Sequence, residues 1–248
     1  ILECGCQMRL ANEKSLELNI THELMFDLGV GAIGFTQLME SIIGGDVFML
    51  CTDPFILQFK VSKSGVNGQS ATFEINNNSN RTQHLALDAI SRSGICGAKY
   101  AFPLIETDTF FVQNLGALLP QTILVDGHKI TDSVSPSHRS ADWFKRIHKV
   151  WVDHSGSFRV RSVEGQGKGI TGDEFLSDLK KRMEAQPRDQ PKLDSQFINN
   201  TIESLESIVR KAEVMGGTEH SISFLARGLK SRVLLYMTFP IQLRGWPY

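Results

Sequence analysis

The sequence predicts a single α/β domain in which helices flank a mixed β-sheet. Three observations carry that expectation. Residues 13–28 place apolar side chains at Leu16, Ile20, Leu24 and Leu28, the stripe of an amphipathic helix. Residues 47–60 hold two apolar runs that meet at Thr52-Asp53-Pro54, as antiparallel strands joined by a turn do. Residues 71–105 then read as strand, helix, strand, a spacing whose right-handed crossover makes the strands parallel.

Composition sets the outer limits. The 248 residues leave room for a buried core, and 41% hydrophobic with 21% charged residues describe an ordinary globular chain. No apolar run in the sequence reaches the roughly 18 residues of a membrane span. A formal net charge of −1 offers no global basic field, so a nucleic-acid partner requires a local groove. Cys4 and Cys6 lack the spacing of a zinc knuckle, and Cys51 and Cys96 fall in apolar runs. They read as thiols in a reducing compartment, so a cytoplasmic location is expected. The chain opens on Ile1 rather than Met, as a trimmed, processed or incomplete start does. Residues 1–12 lack the basic start and long apolar run of a secretory signal.

Taken in order, Glu17, His22 and Glu23 lie off the first helical stripe and are expected on a solvated face. Residues 29–34 form a glycine-rich break without the G-x-G-x-x-G pattern. Thr36 is placed to cap a short helix that carries Gln37 and Glu40 on one side. Gly44 and Gly45 follow, and Asp46 opens the first strand of the hairpin. On the second strand Gln58 and Lys60 share a face while Phe59 turns into the core. A turn centred between Asp53 and Pro54 sets Asp46 roughly opposite Val61, next to Lys60.

Beyond the hairpin, residues 64–69 read as a loop and 71–75 as a short strand. Asn80 or Thr82 caps a helix that runs to Ser93 and stops at Gly94. A buried strand over 98–105, a short helix over 110–119 and a short strand over 122–125 come next. Residues 127–142 look loop-like, and 149–153 with 157–163 form a hairpin. Residues 165–172 lack the phosphate-loop pattern, since Lys168 precedes Gly169, and read as a loop before a helix over 173–184. A polar linker with Pro187 and Pro191 leads to a helix over 195–215, with Phe197, Ile198, Ile202, Leu205, Ile208 and Val209 on its apolar side. Residues 232–243 have the content of a strand, interrupted by Pro240. Everything after about residue 130 is read as a C-terminal helical and hairpin elaboration of one core domain, with no internal repeat.

The chemistry concentrates at the hairpin. A Q-x-K tripeptide arises by chance about once in a chain of this length, so its weight comes from context. Glu40, Asp46, Gln58 and Lys60 bring two carboxylates, an amide and an ammonium towards one sheet edge, where opposed residues lie about 5 Å apart. Such a set can hold a divalent cation beside a phosphodiester. The plainer reading of each is a turn-forming Asp and a solvated Lys.

Together these residues and the crossover that follows them resemble the PD-(D/E)xK nuclease superfamily, in a Q-x-K variant most like bacterial restriction and defence members. The resemblance spans about residues 13–105. It implies a restriction-endonuclease-like fold and a Mg²⁺- or Mn²⁺-dependent endonuclease acting on DNA. Glu40, Asp46 and Gln58 then become metal ligands, and Lys60 orients or deprotonates the attacking water. Gln58 replaces the usual second acid with a neutral carbonyl, leaving Glu40 to restore the negative charge. Asp53 falls at the far end of the hairpin, about 20 Å from Lys60, and is set aside.

Duplex cleavage needs two scissions, so a homodimer is expected. The rival expectation is a non-catalytic module of a defence complex on the same fold, with the 195–215 helix as its assembly surface. Arg139, Lys145, Arg146, His148, Lys149, Arg159, Arg161 and Lys168 are candidates for a phosphate-binding face; Trp143 and Trp151 lie among them, where base stacking is an option but core packing is the expectation for both. Asp126, His128, Asp132, His138, Asp153 and His154 follow no metal-ligand spacing and are expected in surface loops.

Overall fold

A computed structural model describes residues 12–51, 53–76, 82–161, 163–185 and 195–214. The expected strand over 232–243, the proline linker, Asn80, Cys4 and Cys6 lie outside them. In order, the elements are α1 (Glu13–Leu28), β1 (Gly31–Gly34), α2 (Gln37–Ile43), β2 (Val47–Leu50), β3 (Phe55–Phe59), β4 (Ser64–Val66) and β5 (Ser70–Ile75). Then come α3 (Gln83–Ser93), β6 (Gly97–Pro103), α4 (Asp108–Gln113), β7 (Thr122–Asp126), α5 (Gly127–Asp132), α6 (Ala141–Phe144), β8 (His148–Asp153) and β9 (Ser157–Val160). Strands β10 (Gly165–Lys168) and β11 (Ile170–Thr171) precede α7 (Gly172–Glu184) and α8 (Ser195–Val214).

The architecture is mixed α/β with two sheets rather than one. Six strands form a mixed sheet in the order β1-β2-β3-β6-β7-β11, and five form an antiparallel sheet in the order β10-β9-β8-β5-β4. The parallel pair is β3 with β6. Helix α3 therefore crosses over from β3, and the β4–β5 hairpin is an excursion into the second sheet. The expected strand–helix–strand unit forms, but its first strand is β3 and not β5. Pairing decides this: β5 zips along β8 from Ser70↔Asp153 to Ile75↔His148.

Local signals explain the helices. The apolar stripe of α1 is buried at Leu16, Ile20, Leu24 and Leu28. Asn12 caps it, and Gly29 ends it in the left-handed region at φ 63°. Thr36 accepts a hydrogen bond from Met39 N at the start of α2, as expected. Gly94 closes α3 at φ 68°, but Thr82 makes no side-chain cap bond there. On α8, Leu205, Ile208 and Val209 are buried.

Several loop expectations are overturned. The 29–34 break contains β1, which pairs along β2 from Gly31↔Leu50 to Gly34↔Val47. Residues 64–69 contain β4, and 127–142 contain α5, a 3₁₀ turn at Pro136–His138 and the start of α6. The 110–119 helix stops at Gln113. Residues 165–172 contain β10 and β11. The glycines there permit close packing, since a Cβ on Gly167 would lie 2.3 Å from the Phe158 ring.

Two cores lie on opposite sides of the mixed sheet. On one side Leu16, Ile20 and Leu24 of α1 and Phe175 and Leu179 of α7 pack against Leu57, Phe59 and Ala101. On the other, Phe73, Val150 and Val160 of the second sheet join Leu87 and Ile90 of α3 against Ile56, Tyr100 and Phe102. Strand β3 is consequently buried from end to end. Cys51 and Cys96 are free, buried thiols, as expected.

The Gly44–Gly45 pair brings α2 tightly onto this frame. Gly44 lies at φ 79°, and a Cβ on Gly45 would approach Ile56 Cγ2 to 2.0 Å. Ile56 is fully buried and has nowhere to move. Gly45→Ala is expected to destabilise the protein by about 1–3 kcal/mol, measured by urea denaturation. A variant as stable as the parent would show that the Ile56 side chain yields.

Candidate active site

Asp46 follows the glycine pair and enters the mixed sheet with both its backbone groups fixed. Its N–H donates to Leu57 O at 2.8 Å, and its carbonyl accepts from Phe35 N at 2.8 Å. The register differs from expectation: Val47 pairs with Leu57 and Met49 with Phe55, which carries Asp46 to Gln58 rather than Val61. The turn is longer and off-centre from Asp53-Pro54. Asp46 Oδ2 consequently accepts from Gln58 Nε2 at 2.8 Å and from Phe59 N at 2.7 Å.

Gln58 is oriented by chemistry on both sides. Its Nε2 also donates to Phe59 O at 3.0 Å, so the NH₂ group faces two acceptors and a flipped amide would set oxygen against oxygen. Its Oε1 is left buried with no hydrogen-bond partner. An orphaned buried acceptor demands a donor or a cation.

Lys60 follows the end of β3, an interior strand, its N–H donating to Ala101 O at 3.1 Å. The residue is only 5% exposed. Burial pushes its ammonium below the usual lysine range, opposed by the charges of Glu13, Asp46 and Glu40 and assisted by Lys63. Burial likewise pushes the Asp46 carboxyl up to about 7; the Phe59 hydrogen bond and Lys60 oppose this, while Glu17 and Glu13 add to it. Both groups are thus driven towards their neutral forms by loss of water. A lowered lysine pKa makes the amine easier to deprotonate, and the neutral form is a competent proton acceptor.

Glu40 reaches this neighbourhood from α2, and its Oε1 lies 3.3 Å from Lys14 Nζ. Lys14 also bonds Glu17 at 2.8 Å. Glu13 and Glu17 are the residues that sequence reasoning missed. They stand four apart in the first turns of α1, and that shared helical side was the available signal. Glu17 was expected on a solvated face, yet its side chain is only 14% exposed. Glu23, expected there too, accepts from Leu118 N and Leu119 N at 3.0 and 2.8 Å.

The structure therefore brings Asp46 and Gln58 into direct contact, sets Lys60 within electrostatic reach of Asp46, and sets Glu40 within reach of Lys60. Among the described residues, no three His, Cys, Asp or Glu side chains are close enough to hold a metal ion. The unpartnered Gln58 oxygen is of the kind a hard divalent cation takes, while the NH₂ end of the same amide faces the Asp46 carboxylate. Asp53 lies elsewhere, paired with Arg182 of α7.

The other candidates disperse. Asp126 pairs with Lys99 and Lys129, and Asp132 with Arg92 and Arg139, so these acids are tied into ion pairs and are not simple loop charges. His148 is buried, its Nε2 donating to Trp143 O at 2.7 Å, and Trp143 is a core residue.

The Asp46 shift has a definite sign. Its folded-state value of about 7 lies above the ordinary 3.8, so the folded chain keeps a proton that the unfolded chain loses in that window. The contribution of Asp46 to stability is complete below about pH 4 and declines as pH rises through 7. In metal-free buffer, Asp46→Asn should gain stability relative to the parent between pH 4 and 8, by thermal or urea denaturation. A pH-independent difference between the two would contradict the assigned shift.

No family model, no curated protein and no solved structure matches the chain.

Proposed function

We propose that this protein is a metal-dependent phosphodiesterase of the restriction-endonuclease-like class, acting on DNA through Asp46, Gln58 and Lys60. The observation that carries the reading is the buried Gln58 oxygen without a partner, next to a carboxylate and a desolvated lysine. Asp46, the Gln58 carbonyl and Glu40 are the oxygens that would hold Mg²⁺ or Mn²⁺. Such a cation would polarise a phosphate and lower the pKa of its bound water.

The chain's own residues supply the rest. Phe59 N–H and the Gln58 amide hold the Asp46 carboxylate in one orientation, which fixes its free oxygen relative to the substrate. Lys60 accepts the proton of the attacking water and afterwards carries positive charge next to the developing phosphoryl charge. Glu13, Asp46 and Glu40 favour that protonated lysine. Burial keeps bulk water from competing at Lys60.

A second reading, a non-catalytic module on the same frame, is favoured by one observation. Lys14 already lies between Glu17 and Glu40 and offsets part of their charge. An acid pair bridged by an ammonium is less available to an incoming cation.

Purified protein incubated with plasmid and Mg²⁺ or Mn²⁺ separates the two. Cleavage is expected to need the metal, and Lys60→Ala and Asp46→Asn should each slow it by about a hundredfold or more. Undiminished cleavage in both variants would remove the assignment. No cleavage of any nucleic acid, together with no cation binding by calorimetry, would favour the module.

A further inference from the structure

We propose that the outer face of the antiparallel sheet docks a single-stranded segment of nucleic acid, with a base against Trp151 and phosphates on Lys149, Arg159, Arg161 and Lys168. This rests on the phosphodiester reading of the Lys60 site and names the surface that presents its substrate.

Alternation along β8 and β9 creates the face. Val150, Val152, Phe158 and Val160 point into the core, which leaves Lys149, Trp151 and Arg159 on the other side. The register aligns Trp151 with Arg159, Arg159 with Gln166 and Thr72 with Trp151, one row across four strands. Arg161 N donates to Lys149 O at 2.9 Å, so the ladder continues and a second row forms beside the first. Lys168 lies opposite Ser157 on the far side. Trp151, Arg159, Arg161, Glu164 and Gln166 line an open groove there.

Charge selects the occupant. Among the described residues, Lys149, Arg159, Arg161 and Lys168 are exposed and make no ion pair. The nearby acids do not cancel them. Asp153 is occupied by its own turn, accepting from Ser155 N, Ser155 Oγ and Ser157 N at 2.9, 2.6 and 3.1 Å. Glu74 faces Lys149 in register without closing a pair, and Glu164 borders the groove. The face thus carries Lys149, Arg159, Arg161 and Lys168 against Glu74, Asp153 and Glu164, a local excess of positive charge in a chain of net charge −1, which suits a polyanion.

The aromatic group narrows the class. The Arg159 guanidinium lies over the Trp151 ring, 5.7 Å from its centroid, a cation–π contact whose planar guanidinium and remaining ring face offer surfaces for a base. Surfaces of this kind stack unpaired bases, whereas a duplex keeps its base faces to itself. The face is also near the chemistry. Three residues separate Lys60 from β4, and Lys63 N donates to Thr72 O at 2.8 Å, in the row that leads to Trp151. At about 3.5 Å per residue and about 4.8 Å per strand, Lys60 and Arg159 are no more than about 30 Å apart. A strand of the about 4–16 nucleotides that such surfaces engage spans that distance.

The test is fluorescence anisotropy of a labelled oligothymidylate and of the corresponding duplex, in EDTA so that nothing is cut. Wild-type protein should bind the single strand more tightly than the duplex. Trp151→Leu should weaken binding roughly tenfold, the effect of unstacking one base. The exposed pair Arg159→Glu with Arg161→Glu should reduce the salt dependence by about 0.7 in slope for each phosphate no longer neutralised. Circular dichroism identifies any variant that has not folded, and the exposed charge reversals remain informative if Trp151→Leu fails. Lys60→Ala should lose cleavage. Single-strand binding indifferent to both face variants, or a preference for duplex, overturns the proposal even if Lys60-dependent cleavage is intact. Trp151-dependent binding in a protein that never cleaves supports the docking face and sinks the cleavage reading alone.

Discussion

Strand β3 has no side open to water, and that constraint governs the rest of the molecule. Helices α1 and α7 cover it from one direction, α3 and the second sheet from the other. Polar groups placed at its end must therefore find partners inside the protein or stay unsatisfied. Asp46 finds Phe59 N–H and the Gln58 amide; Gln58 Oε1 finds nothing. Charges held this way interact over longer distances than exposed ones, because little water screens them. Glu13 and Glu17 consequently act on Asp46, and Glu13 and Glu40 on Lys60.

This burial is expensive in stability, and the surrounding architecture offsets it. Phe59, Leu57 and Ile56 are fully buried on the same strand that carries Gln58. Each such side chain contributes about 1.5–3 kcal/mol. The second sheet matters here as cover: Phe73, Val150 and Val160 close the far side of the mixed sheet near Ile56 and Phe102. Fold and site are thus one problem, since a strand accessible to solvent would leave Lys60 an ordinary ammonium.

Much of this was legible in the sequence wherever the signal was local. The α1 stripe, the Thr36 cap, the Gly94 stop and the existence of the hairpin all rest on residues within a few positions of one another. The register was not legible, because nothing in Thr52-Asp53-Pro54 reveals that Met49 pairs with Phe55. Strands β1 and β10 are half glycine, which hides them from propensity, and their partners specify them. The assignment of β5 to a second sheet depends on β8, more than seventy positions downstream. Glu13 and Glu17 look solvated on a helical wheel; their role follows from where the start of α1 lands, which is a tertiary fact. Trp143 and Trp151 illustrate both outcomes, one in the core and the other on the open face.

The passage between the sheets has a mechanical consequence. Strand β10 ends at Lys168 and β11 begins at Ile170, so the chain leaves one sheet and joins the other across Gly169 alone. Gly169 N–H is tied to Gly156 O at 2.8 Å, and a Cβ there would meet Leu124 O at 2.7 Å. Held by that bond and packed this closely, the tether has little room to swivel. Tension applied to the outer sheet passes directly into β7 and its neighbours, so the two layers respond to load as a single plate.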